Sequence, residues 1–101
     1  MQWQLLIENE IQRIRPGENP GRTRTIARRI AGIALQHHYG NAPDDFLRLI
    51  QRAIADENLP VHVRSALGRL SARLDAQFSS PSTDPVGDAM MVVDFVRNKT
   101  P

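Results

Sequence analysis

The chain has 101 residues and no cysteine. That absence excludes disulfide staples, thiolate metal sites and cysteine nucleophiles. It also argues against a small secreted scaffold, which at this size usually depends on disulfides. Aromatic residues make up only 5%, too few for a row of stacking platforms that would grip a single-stranded nucleic acid. No apolar run approaches the ~18 residues that span a bilayer. The N-terminal stretch "MQWQLLIENEIQRI" lacks a basic leader and interrupts its apolar residues with Gln, Glu and Asn, unlike a signal peptide. The expectation is a cytoplasmic protein with no membrane contact.

Lysine is almost missing as well. Lys99 stands alone beside twelve arginines. This scarcity accounts for the sequence pI of 9.9 at a formal net charge of only +2. With one lysine, one tyrosine and no cysteine, few groups titrate between neutrality and about pH 10, so a small arginine excess carries the isoelectric point far upward. The distribution of charge says more. Residues 1–40 hold six arginines against three glutamates, for +3; residues 41–78 balance at five against five; residues 79–101 hold two basic against three acidic groups, for −1. A basic patch therefore belongs to the N-terminal part.

What is present is globular in proportion: 41% apolar and 24% charged. The length suits one domain. A domain this small buries only ~60–65% of its unfolded surface, so a partner or a second copy would help it.

The patterning is helical. Trp3, Ile7, Ile11 and Ile14 fall on one face, and "RPGENPG", residues 15–21, ends that helix. Asn19 and Pro20 are the cap and first turn of a second helix. There Ile26, Ile30, Ile33 and His37 share a stripe, with Ala27, Ala31 and Ala34 beside it allowing close approach. Gly40 stops it. Asn41 is expected to cap a third helix, with Pro43, Asp44 and Asp45 in its first turn. That helix sets Phe46, Leu49, Ile50, Ala53 and Ile54 against Arg48, Gln51, Arg52 and Asp56. Pro60 opens a fourth, whose stripe is Val63, Leu67, Leu70, Leu74 and Phe78. Ser65, Gly68, Ser71 and Ala72 look like a small-residue face for close packing. The Ser/Pro stretch "SSPSTDP", residues 79–85, is a linker. A final segment, "VGDAMMVVDFVRN", is apolar nearly all round; a helix is expected, though its β-branched residues would also suit a strand. The prediction is an all-α bundle of four to five helices with short loops: a core over 1–78, a linker over 79–85, and a C-terminal apolar helix over 86–98 that packs on the core, on a dimer mate or on a partner.

Two stretches carry functional interest. The first, "RTRTIARRI", puts four arginines into nine residues. Arg24 lies near Arg28 on a helical wheel, Arg22 near Arg29, and Thr25 between the pairs, with Arg13 and Arg15 extending the flank. Such a row suits phosphate oxygens or an acidic partner. More often such a run is a solvated face, here paired with Glu8, Glu10 and Glu18, contributing little. A helix-turn-helix fails in both registers tried: Gly32 comes one residue late after Ala27, and a turn at Gly40 would present Asp44 and Asp45 to phosphates. The second stretch is 86–96, where Met90, Met91, Val92, Phe95 and Val96 form a candidate protein interface, methionine being adaptable to irregular surfaces.

Other chemistry finds little support. His37 and His38 are adjacent and point about 100° apart, so they cannot share a metal from one face; His37 continues an apolar stripe and suits packing. No glycine-rich phosphate loop or Ser–His–Asp order appears. The expectation is therefore a non-enzymatic helical interaction, adaptor or regulatory module without cofactor or metal, binding another protein or itself as a homodimer. The alternative is a nucleic-acid-binding module acting through Arg22, Arg24, Arg28 and Arg29.

Overall fold

The computed structural model describes residues 3–14, 20–40, 45–72 and 84–99, and among these it has five α-helices and no strand. They are α1 (Trp3–Ile11), α2 (Pro20–Tyr39), α3 (Phe46–Ile54), α4 (Val61–Ser71) and α5 (Pro85–Lys99). The all-α bundle expected from periodicity is the fold. Residues 79–83 of the Ser/Pro stretch, Leu74 and Phe78 of the fourth stripe, and Arg15, Glu18, Asn19, Asn41, Pro43 and Asp44 lie outside the described residues.

The 20-residue α2 is the axis and touches all four other helices. Ile26 and Ile30 are buried, and Ala27, Ala31 and Ala34 are sealed completely. Alanine at those positions removes bulk where neighbouring backbones approach. The helix runs without a break through Gly32. A side chain at Gly32 would collide with the Phe46 ring, so this glycine seats α3 on α2. Gly40 ends α2 with φ +66, donating its N–H to the Gln36 carbonyl at 3.0 Å. That left-handed conformation strains any residue with a Cβ.

Asp45, placed by the sequence pattern inside the first turn of α3, is instead its N-cap: its Oδ1 accepts the Leu47 N–H at 2.9 Å. Leu49, Ile50 and Ala53 are buried as the periodicity requires, and Phe46 and Ile54 are half-buried against the core. The helix ends at Ala55, so Asp56 leaves the outer face that a wheel assigns it. On α4, Val63, Ala66, Leu67 and Leu70 are buried. The expected small-residue face packs only in part: Ser65 is exposed and the Cβ direction of Gly68 opens onto empty space, while Ser71 and Ala72 are half-buried. Ala66 is the small residue that α4 does bury. In α1 only Trp3 and Ile7 are buried, and α2 is the one helix it contacts among those described. Ile11, on the same wheel stripe, is exposed because the helix stops there.

The most extensive helix contact joins α2 to α5. Asp84 opens α5 by accepting the Gly87 N–H at 3.0 Å, and its carboxylate occupies the place where a side chain at Gly87 would stand. Ala89, Val92, Val93 and Val96 are fully buried. Each buried valine is worth roughly 1.5–3 kcal/mol, so three of them approach the net stability of a small domain, about 5–15 kcal/mol. The fifth helix is thus integral to the core.

Candidate functional site

The burial pattern divides α5 into two stripes that the sequence left merged. Ala89, Val92, Val93 and Val96 recur at i, i+3, i+4 and i+7 and face inward. Val92 and Val96, candidates for a protein interface from sequence, are therefore core residues. Met90 is half-buried and packs on the same core. The second stripe holds Met91, Asp94, Phe95 and Asn98, again at i, i+3, i+4 and i+7. With His62 from the first turn of α4 these side chains line an open groove of about 380 Å³, within the size range of ligand and side-chain pockets, roughly 300–1,000 Å³. Met91 is 41% exposed there. Phe95 is half-buried, with one side in the groove and the other against the bundle. The apolar pair is rimmed by His62, Asp94 and Asn98.

A ring cluster at the end of α2 backs Phe95. The two adjacent histidines diverge, as their spacing demands. His37 stacks on Trp3 of α1 at 4.8 Å and 17°, and His38 meets Phe95 of α5 at 5.6 Å. His38 also meets the edge of Tyr39 at 4.9 Å. The Arg52 guanidinium sits 4.0 Å above the Tyr39 ring, and the Tyr39 hydroxyl donates to Asp56 Oδ2 at 2.8 Å. Burial, followed by the hydrogen bond to Asp56 and its negative charge, pushes the Tyr39 phenol well above its usual range. The Asn58 backbone N–H and then the Tyr39 hydroxyl hold the Asp56 carboxyl below its own. Sequence reasoning missed this cluster. Its partners come from four different segments, and only the divergence of His37 and His38 was readable locally.

One charged contact ties α5 to α4. Asp88 is almost fully buried and receives both Nε and an NH2 nitrogen of Arg69, at 3.2 and 2.7 Å. This fork geometry is the strong form of an ion pair, and it raises the Arg69 pKa further.

The arginine stretch takes three different fates. Arg24 and Arg28 turn toward the C-terminal end of α4. An Arg24 terminal nitrogen donates to the Ala72 carbonyl at 2.9 Å. Arg28 donates to the same oxygen at 3.3 Å and, through Nε, to the Leu70 carbonyl. Both are partly buried, and burial, then the charge of Arg24, lowers the Arg28 pKa. Arg29 pairs with Glu10 at 3.4 Å, and Glu10 also receives Arg13 at 3.2 Å, which is the paired-face arrangement for those groups. Arg22 is exposed. Thr25 donates to its own helix, at the Gly21 carbonyl, and does not bridge the arginine pairs.

Among the described residues no group of three or more His, Asp or Glu is placed to hold a metal ion, and no described helix is long and apolar enough to cross a membrane. Comparison with protein-family models, with curated proteins and with solved structures finds no match.

Proposed function

We propose that this chain is a non-enzymatic helical interaction module that binds another protein, or a second copy of itself, through the groove between the first turn of α4 and the outer stripe of α5. One observation carries the reading: Met91 stays 41% exposed beside a half-buried Phe95, while the neighbouring valines of the same helix are sealed. A methionine lining a groove together with an aromatic ring and polar groups has the make-up of an interface anchor. The nucleic-acid alternative has weaker support. Two of its four arginines, Arg24 and Arg28, are turned onto the end of α4, and Arg29 is paired with Glu10, which leaves no continuous row of cations to track a phosphate backbone.

The test is Met91→Glu. An exposed position of this kind changes stability by less than about 0.5 kcal/mol, so the fold remains as a control by circular dichroism. Sedimentation measures self-association, and affinity capture with the wild type and the variant in parallel measures other partners. The module reading expects the variant to lose self-association or a specific captured protein. If both proteins sediment and capture alike, the groove is not the binding surface. Steep, salt-dependent retention of the wild type on DNA or RNA would transfer support to the alternative.

A further inference from the structure

Two guanidinium groups converge on one carbonyl oxygen at the end of α4, and among the described residues no carboxylate joins them. Arg24 and Arg28 both donate to Ala72, with Arg28 adding Leu70, and neither forms an ion pair among the described residues. Each guanidinium has five N–H donors, so most of the combined set is left over by three hydrogen bonds to backbone. Arg24 Nε is buried and has no hydrogen-bond partner among the described residues. A helix C-terminus offers roughly half a negative charge, which leaves two full positive charges far from neutralised in a partly buried place. Burial, and then the neighbouring charge of Arg24, disfavours the charged form of Arg28. Ordinary C-terminal capping needs one cation, and this site has two.

We propose that Arg24 and Arg28 form a binding site for a small tetrahedral oxyanion, a phosphate group that is either free or carried on a small ester, seated against the C-terminal end of α4. The two planar forks present donors that match phosphate oxygens, and the anion supplies the missing negative charge. The site is compact, takes one phosphate, and is independent of the α5 groove. Its occupation bridges α2 to the last turn of α4, so ligand binding tightens a contact that is otherwise slight.

The experiment uses the whole chain in buffers of equal ionic strength set with chloride. Inorganic phosphate and O-phosphoserine are titrated separately while the melting temperature and the arginine Nε–H resonances are followed. The expected result is a saturable rise in melting temperature that chloride does not reproduce, with shifts in the Arg24 and Arg28 resonances. A response to phosphoserine alone identifies the ester as the ligand form, and a response to both identifies the bare group. Arg24→Gln and Arg22→Gln remove the same formal charge from the same helix. The site predicts at least about tenfold weaker phosphate binding for Arg24→Gln and little change for Arg22→Gln. Arg24→Lys, which keeps the charge without the fork, falls between wild type and Arg24→Gln. The proposal is overturned if neither inorganic phosphate nor O-phosphoserine moves the wild-type melting temperature and resonances. It is equally overturned if Arg22→Gln and Arg24→Gln weaken binding alike, since that marks a diffuse field such as a nucleic-acid surface uses.

Discussion

Replacing glycine by alanine at Gly68 and at Gly32 should move stability in opposite directions. Both glycines sit inside helices, where alanine is favoured by about 0.5–1 kcal/mol. At Gly68 an added Cβ meets nothing within 4 Å, so the full gain is expected: roughly 0.5–1 kcal/mol, or a rise of several degrees in melting temperature for a domain of this size. At Gly32 the Cβ would strike two atoms of the Phe46 ring and the Phe46 Cβ. Phe46 is half-buried, and its ring is held between α2 and the core, so it yields only by moving α3. Overpacking of this kind costs about 1–3 kcal/mol. The propensity gain is common to both substitutions, so the difference between the two variants isolates the clash at about 1–3 kcal/mol. Urea denaturation followed by far-ultraviolet circular dichroism is the assay, with midpoints compared at unchanged slope. If Gly32→Ala is as stable as Gly68→Ala, the Phe46 ring does not rest on Gly32, and the account of how α3 is seated on α2 is wrong.

Two further predictions concern single side chains. The chain has one tyrosine, so phenolate absorbance reads Tyr39 alone; it should titrate above the usual range because of burial and the Asp56 hydrogen bond. The folded-state pKa is raised above the unfolded value, so its contribution to stability is complete below about pH 10 and is lost as the pH rises further. Asp56→Asn should bring the titration down toward the ordinary value, and an unchanged curve would show that Asp56 does not control it. At the α4–α5 contact, Arg69→Met removes the forked guanidinium from the buried Asp88 carboxylate. The variant should melt at a lower temperature than wild type, by less than the loss of a fully buried pair would cause, because the Arg69 side chain is 38% exposed and its charge is screened by solvent. Asp88→Asn, which leaves the charge on the more exposed partner, should cost less; equal losses by thermal denaturation would contradict this asymmetry.

Much of the fold was legible because α2 and α3 each have one apolar face. A stripe such as Leu49, Ile50 and Ala53 needs no knowledge of its neighbours to be read as inward-facing. In α5 the same reasoning stalls, because Met91 and Val92 are equally apolar and their separation depends on where α2 and α4 press. The fate of the arginines was hidden for a similar reason. Arg24 and Arg28 share a helix face with no acidic residue in reach of sequence spacing, and their acceptors are carbonyls 42 to 48 residues away. Backbone carbonyls leave no mark in a sequence. The displaced cap is a smaller case: Asn41 and Asp45 have interchangeable cap chemistry, and the start of the inward stripe at Phe46 favours the later one. Gly68 shows the opposite failure, in which a residue suited to tight packing lies on a face that nothing approaches.

The pairing of α2 with α5 also sets the order in which the molecule can be completed. The two helices meet across more than forty intervening residues, so the largest apolar contact of the core closes a long loop. As the chain leaves the ribosome, α1 to α4 emerge ahead of Ala89, Val92, Val93 and Val96. Until α5 arrives, the apolar faces of α2 and α4 that it covers stay exposed, open to chaperones or to the same helix of another newly made chain. The step that brings α5 onto the core is therefore also the one at which two copies can exchange that helix.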